Sequence, residues 1–258
     1  MKTEEPHLSY SQISTYMQCG LKYRFNYIDR LEPEFTPSAL HFGRAIHSSI
    51  QAFLQSSLEA DPLRADQLVD IYREEWRGVD GPPVRYSRRE SEESLYNTAR
   101  QILTVFTEQH DPAIEVIAVE EAFTLDLAAI AEDFPQDIPP LTGYVDAILK
   151  NGSTALVDYK TSSRKPNGDV NAMQLVAYSL AASRLGYDPN ELQYRYDYLL
   201  KTAKPELVSC PVAIDDNDRR RLLKTTAKVW KGIQSSIFYP NPSYLCSSCP
   251  YQRHCNDW

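Results

Sequence analysis

The stretch that decides the reading is Gly143-Tyr144-Val145-Asp146, followed across a short turn by Val157-Asp158-Tyr159-Lys160. Both runs sit in segments rich in β-branched and aromatic residues and bounded by turn signals, the pattern of strands. Two adjacent strands of this kind bring Asp146, Asp158 and Lys160 together. Asp158 and Lys160 are two positions apart, so they share a strand face, while Tyr159 points to the other. Carboxylate oxygens suit Mg²⁺ or Mn²⁺, and a cation bound there lowers the pKa of water and stabilises charge on a transferring phosphoryl group. Lys160 is then placed to orient the attacking water or steady the phosphate. A lone Asp-x-Lys tripeptide reads first as a surface ion pair at a sheet edge. The flanking apolar residues, and the second Asp at the matching place one strand earlier, favour the site.

Working outward, 114–127, 141–150 and 155–160 read as three strands, 171–185 as a helix, and 192–201 and 206–214 as two more strands. The final helix, 215–237, begins with acidic residues, which suits its dipole. The order is β-β-β-α-β-β. Upstream, 9–29 repeats Ile13, Tyr16, Met17, Leu21 and Phe25 at a spacing that suggests one helix or two short ones, and 43–58 lines up Ile46, Ile50 and Phe53 on one face. Helices at 65–76 and 90–109 complete an N-terminal helical region. The expected organisation is therefore α/β. Residues 1–112 form the helical region carrying Cys19 and His47, 113–214 the core, and 215–258 a helix with a cysteine-rich tail, all in one continuous domain.

The composition fits this picture. The chain has 258 residues, of which 42% are hydrophobic and 24% charged, as in ordinary globular proteins. No apolar run approaches a membrane span. The opening MKTEEPHLSY is polar and lacks a signal-peptide pattern, so a cytoplasmic protein without a membrane partner is expected. A net charge of -8 argues against a protein that coats nucleic acid. It does not exclude an enzyme whose clustered carboxylates bind cations, because the cations supply part of the positive field.

The Asp146 and Asp158-x-Lys160 arrangement resembles that of the PD-(D/E)xK nucleases, in which an Asp on one strand precedes an acidic-x-Lys unit on the next. Three further segments match, in order, the RecB-like branch of that superfamily. Leu8-Ser9-Tyr10-Ser11-Gln12-Ile13 through Cys19 looks like its Ser-rich opening motif. Gly43-x-x-x-His47 resembles the motif whose His helps bind metal, and Gln174-x-x-x-Tyr178 resembles the Q-x-x-x-Y motif on the helix after the D-x-K strand. Gln174 and Tyr178 share a helix face. Taken alone, His47 reads as a packed or surface histidine, and Gln174 with Tyr178 as filler between helix and sheet. The resemblance implies a restriction-endonuclease-like mixed sheet flanked by helices. It also implies that Asp146, Asp158, Lys160, Gln174 and Tyr178 are catalytic and that His47, Asp146, Asp158 and Glu120 hold Mg²⁺ or Mn²⁺. Glu121, adjacent to Glu120, competes for the accessory position.

Cys246-x2-Cys249-x5-Cys255 lies near the C-terminus and Cys19 near the other end. Spacing alone leaves zinc and an iron-sulfur cluster both open. The resemblance implies a [4Fe-4S] cluster on Cys19, Cys246, Cys249 and Cys255, stapling the N-terminal helix to the tail. Cys210, on an expected strand, reads as a buried spare thiol.

The basic pairs Lys22/Arg24 and Arg88/Arg89, and the run at 219–221, read as solvated faces. Arg164 and Lys165, directly after the D-x-K strand, are the expected phosphate contacts. Tyr16, Tyr23, Phe25 and Tyr27 read either as core or as a platform for stacked bases. The resemblance implies a metal-dependent DNA exonuclease acting on single-stranded ends, in repair, recombination or CRISPR adaptation, with a helicase or CRISPR integrase as partner. It looks like the stand-alone nucleases of the CRISPR-associated protein four family or free-standing RecB-like exonucleases. The alternative is a non-catalytic DNA-binding or scaffolding subunit of a nuclease or spacer-integration complex.

Overall fold

A computed structural model describes residues 6–78, 81–130, 134–135, 137–166 and 171–258. The expectation of a polar start without a signal sequence rests in part on residues 1–5, which lie outside the described residues.

Helix α1 (Tyr10–Gln18) begins at Ser9, whose hydroxyl accepts from the Gln12 N–H at 3.2 Å and satisfies one orphan donor of the first turn. Cys19 then adopts an extended conformation. It ends α1 and caps α2 (Gly20–Tyr23), which runs into a single π turn at Arg24–Ile28. The segment 9–29 is thus broken at its cysteine. A pair of two-residue parallel strands, β1 (Thr36–Pro37) and β2 (Val84–Arg85), has no counterpart in the sequence reading, because two residues are too short to show a period.

Helix α3 (Ser38–Leu58) starts five residues before the expected 43, directly after Pro37, so its first turn already buries His41 and Phe42. It packs with α4 (Ala65–Arg77) and α5 (Glu92–Gln109) through Ile46, Ile50, Leu68, Tyr72, Leu103 and Phe106. Burying such a side chain stabilises the fold by about 1.5–3 kcal/mol.

The sheet is built from β3 (Glu115–Leu125), β4 (Leu141–Asn151), β5 (Ser153–Ser162), β6 (Gln193–Leu200) and β7 (Leu207–Pro211), in that spatial order. A four-residue helix, α6 (Leu127–Ile130), follows β3. The β4–β5 turn pivots on Gly152 at φ +72°, a conformation that glycine adopts without a Cβ penalty. Neighbouring strands are antiparallel except β5 and β6, which are parallel with Asp158 beside Tyr196. A parallel pair needs a crossover, and α7 (Met173–Ala181) supplies it. One sheet face, with Ala155, Val157 and Tyr159, meets α3 and α5. The other, with Leu156, Tyr194 and Tyr196, meets α1, α7 and α8 (Asp216–Gln234). The result is the expected α/β fold, a mixed sheet flanked by helices. The tail is less irregular than expected, with a 3-10 turn at Tyr244–Ser248 and helix α9 (Gln252–Asn256). Among the described residues no helix is long and apolar enough to cross a membrane.

Candidate active site

Asp146 on β4 and Asp158 on β5 converge on one buried point. Asp158 is fully buried and Asp146 nearly so. The Tyr178 hydroxyl on α7 lies 3.2 Å from Asp146 Oδ1 and 3.1 Å from Asp158 Oδ1, and it accepts from Gln174 Nε2 at 3.1 Å. Its single proton serves one carboxylate at a time. Lys160 extends from the same face of β5 as Asp158, with Nζ 2.6 Å from Asp158 Oδ2 and 2.9 Å from Gln174 Oε1, to which it donates. Among the described residues Asp158 Oδ2 has no hydrogen-bond partner, and the Lys160 ammonium meets it as an ion pair. The ion pair is the contact that matters there.

Helix α3 delivers His47 to the open side of the pair. Its Nε2 lies 2.8 Å from Asp146 Oδ2 and its Nδ1 3.6 Å from Glu120 Oε1. The Tyr159 N–H donates to the same Asp146 oxygen at 2.9 Å. His47, Glu120 and Asp146 each offer one ligand atom, all within 4.8 Å of one another, a grouping able to hold a metal ion.

Glu120 reaches this place by distorting its strand. It stands at φ +51°, while Val119 and Glu121 keep their ladder partners Ala147 and Val145. Glu120 therefore faces Asp146 across the ladder in a left-handed conformation costing about 1–3 kcal/mol, and the register also slips between Val116 and Ala118. The two neighbouring carboxylates differ in their surroundings: Glu121 is exposed, and Glu120 Oε1 is buried without a hydrogen-bond partner.

The electrostatics divide the two aspartates. Burial, then the Asp146 charge, push Asp158 up to about 7 against the pull of Lys160. Burial also opposes ionisation of Asp146, but the His47 hydrogen bond and charge, with the Tyr159 N–H, outweigh it and hold Asp146 below the usual carboxylate range. Burial disfavours the charged form of His47 too. The hydrogen bond and charge of Asp146, then the charges of Glu120 and Asp158, overcome this and raise it.

A PD-(D/E)XK nuclease superfamily model matches residues 7–256. The chain belongs to that superfamily. Gene 69 protein of Mycobacterium phage D29 is 26% identical over 97% of this chain and 96% of its own length. A candidate exonuclease of Eubacterium rectale, known from its crystal structure, superposes with a TM-score of 0.55 at 14% identity, covering 96% of this chain and 87% of that one. At that identity the likeness concerns the fold.

In this PD-(D/E)XK nuclease the four tail and N-terminal cysteines line one cavity of about 650 Å³ with Leu21, Phe25 and Tyr251. Cys19 Sγ accepts from the Lys22 N–H and Cys246 Sγ from the Ser243 N–H, each at 3.4 Å. Burial, then the nearby thiols of Cys19, Cys249 and Cys246, raise the Cys255 thiol. Among the described residues no three of these sulfurs fall within 4.8 Å of one another. Four thiols around one cavity form a donor set for a thiolate-bound metal group. Cys210 is a half-buried thiol packed elsewhere, beside the α7–α8 side of the sheet.

Arg164 and Lys165 stand exposed just past the end of β5. The Lys165 ammonium lies 3.8 Å from Glu206 Oε2, so its charge is already partly matched. Neither makes a hydrogen bond or ion pair with the carboxylate cluster. Tyr23 and Phe25 are core residues. Tyr196 was not anticipated: it lies under Lys160, with the ammonium 5.9 Å from its ring centroid, and its hydroxyl donates to the Asn171 carbonyl at 3.0 Å. A usable signal was present, since a strand parallel to β5 sets every second residue beside Asp158 and Lys160.

Proposed function

We propose that the chain hydrolyses phosphodiester bonds of DNA, removing nucleotides from single-stranded ends with Mg²⁺ or Mn²⁺. The observation that carries the reading is the buried Asp146–Asp158 pair joined through Tyr178, with Lys160 on Asp158 and with His47 and Glu120 on the open side. Family membership supports hydrolysis of nucleic acid, and attack at ends is carried over as a proposal from the Eubacterium rectale protein of the same fold, which is described as a candidate exonuclease.

The donor set fits a hard divalent cation: carboxylate oxygens of Asp146 and Glu120 with one imidazole nitrogen of His47, and Asp158, which meets Tyr178 and Lys160 beside them, is proposed as the further carboxylate ligand. Such a cation supplies a hydroxide at neutral pH and neutralises charge on the phosphoryl oxygens. The chain's own residues do the rest. The Tyr159 N–H and Tyr178 hydroxyl hold the two oxygens of Asp146 in place. Gln174 fixes the Lys160 ammonium, which keeps one charged donor to orient water or meet the scissile phosphate. Glu120 brings its carboxylate in at the expense of its own backbone.

The four-cysteine cavity is assigned to a [4Fe-4S] cluster with a structural role. The support for this reading is that Cys19, from one end of the chain, and Cys246, Cys249 and Cys255, from the other, line a single cavity.

The test compares wild type with Asp158→Ala on end-labelled linear and on circular single strands, with Mg²⁺, Mn²⁺ or EDTA. Stepwise shortening of linear DNA, absent in EDTA and in the variant, supports the reading. Equal cutting of circles would replace it with an endonuclease. Indistinguishable wild type and variant would leave a DNA-binding subunit without chemistry.

A further inference from the structure

On α8 the side carrying Leu222, Thr226, Val229 and Gly232 is buried, and Arg220, Arg221, Lys224 and Lys228 are exposed. These four cations line an open groove of about 770 Å³ between α8 and α1, with Asn217, Tyr16, Met17 and Tyr239. Arg219 next to them is already engaged, by Asp216 at 2.7 Å and the Ser179 hydroxyl at 2.8 Å. The Arg220 guanidinium donates to the side-chain oxygen of Asn217. Among the described residues none of the four groove cations has a carboxylate within 4.0 Å.

A chain of net charge -8 that keeps four unpaired cations on one helix side has concentrated positive potential where nothing intramolecular uses it. Positions 220, 224 and 228 follow one another along the helix at steps of about 6 Å. A row of this kind matches an anion that repeats along a line. The groove also has aromatic and soft walls. Tyr239 is 61% exposed and Met17 48%. The Tyr16 ring forms a fixed floor, because its hydroxyl donates to the Ile237 carbonyl at 2.8 Å and lies against Gly232, where any added Cβ would overlap it. Charge in a row beside an exposed ring is how single strands are held without sequence preference. The groove is tied to the site: Arg219 anchors α8 to Ser179 of α7, one residue from Tyr178.

We propose that the α1–α8 groove binds a single strand of DNA away from the cut site, with Arg220, Arg221, Lys224 and Lys228 on its phosphates and Tyr239 stacked on a base. The identity of the anion rests on the nuclease reading. A lipid headgroup surface is the competing anion, and the row of cations along one helix beside the exposed Tyr239 ring favours the strand.

The experiment uses the whole protein with Arg221→Glu, Lys224→Glu and Lys228→Glu combined, and separately Tyr239→Ala. Binding of a long fluorescent oligothymidylate is followed by anisotropy in EDTA over a salt series. Metal-dependent cleavage of a trinucleotide, whose few phosphates give the groove little to hold, is measured alongside. The triple variant should bind at least tenfold more weakly, with a log–log salt slope shallower by about 2, and cut the trinucleotide at the wild-type rate. Tyr239→Ala should weaken binding about tenfold with the slope unchanged. Far-UV circular dichroism checks the fold, and Lys224→Gln with Lys228→Gln replaces the triple variant if it unfolds.

Wild-type affinity and slope in the folded variants overturn the inference. So does loss of binding to phosphatidylglycerol vesicles with DNA binding intact, or a wild type that does not bind the oligothymidylate. Groove-dependent binding without any cleavage would sink the nuclease reading and keep the groove. Cleavage with groove-independent binding would do the reverse.

Discussion

Replacing Asp158 with Asn should abolish the metal-dependent cleavage and make the metal-free protein more stable. Asp158 is fully buried beside a second carboxylate, and burial followed by the Asp146 charge push it up to about 7. An unfolded Asp titrates near 3.9, so above pH 7 the folded ionised form carries a penalty of about 4 kcal/mol. The sign follows from the folded value lying above the unfolded one. The contribution of Asp158 to stability is fully present below about pH 4, falls as pH rises to about 7, and is flat above that. Asn has no charge to desolvate and still offers an oxygen to Lys160, but the ammonium loses its ion pair, 2.6 Å long in the wild type. The net gain expected at pH 8 is about 1–3 kcal/mol, of the order of 2–10 °C in Tm for a chain of this size. At pH 5 the gain should nearly vanish. Thermal unfolding in EDTA at both pH values measures it, and single-strand cleavage with Mn²⁺ should fall at least a hundredfold. A variant less stable than wild type at pH 8, with the same pH dependence between 5 and 8, would refute the electrostatic reasoning.

Three other outcomes are expected. Gly143→Ala places a Cβ about 2.7 Å from the Phe123 ring and should lower stability by about 1–3 kcal/mol, read by denaturant unfolding. Burial lowers His110 against the pull of Asp111 and Asp197. Its contribution is therefore full above about pH 6.5 and is lost as pH falls through the lower folded value, so His110→Gln should lose less Tm than wild type between pH 7.5 and 5.5. Cys255→Ser should remove iron and visible absorption from anaerobically purified protein. The tail is also held by Tyr251 to Asn26 at 2.8 Å and Arg85 to the Ser247 carbonyl at 2.9 Å, so the nuclease fold should survive while the tail becomes the first site of proteolysis.

Short-range periodicity made much of the molecule legible without coordinates. The five sheet strands and the helix between the third and fourth were readable because apolar and turn residues repeat at the strand and helix periods, and those periods are local. Asp158-x-Lys160 and Gln174-x-x-x-Tyr178 were readable for the same reason, since spacings of two and four put side chains on one face. Tertiary structure decided what depends on which elements meet. It set Glu120 against His47 with a positive φ that no composition announces, and slid Tyr196 under Lys160 through a parallel pairing made possible by the α7 crossover. It also turned a run of basic residues, which in sequence reads as a solvated face, into one wall of a groove, because α1, some two hundred residues upstream, folds back to supply the other wall. Strand and helix periods are properties of neighbours along the chain. A site is a property of neighbours in space, and only the packed chain brings those together.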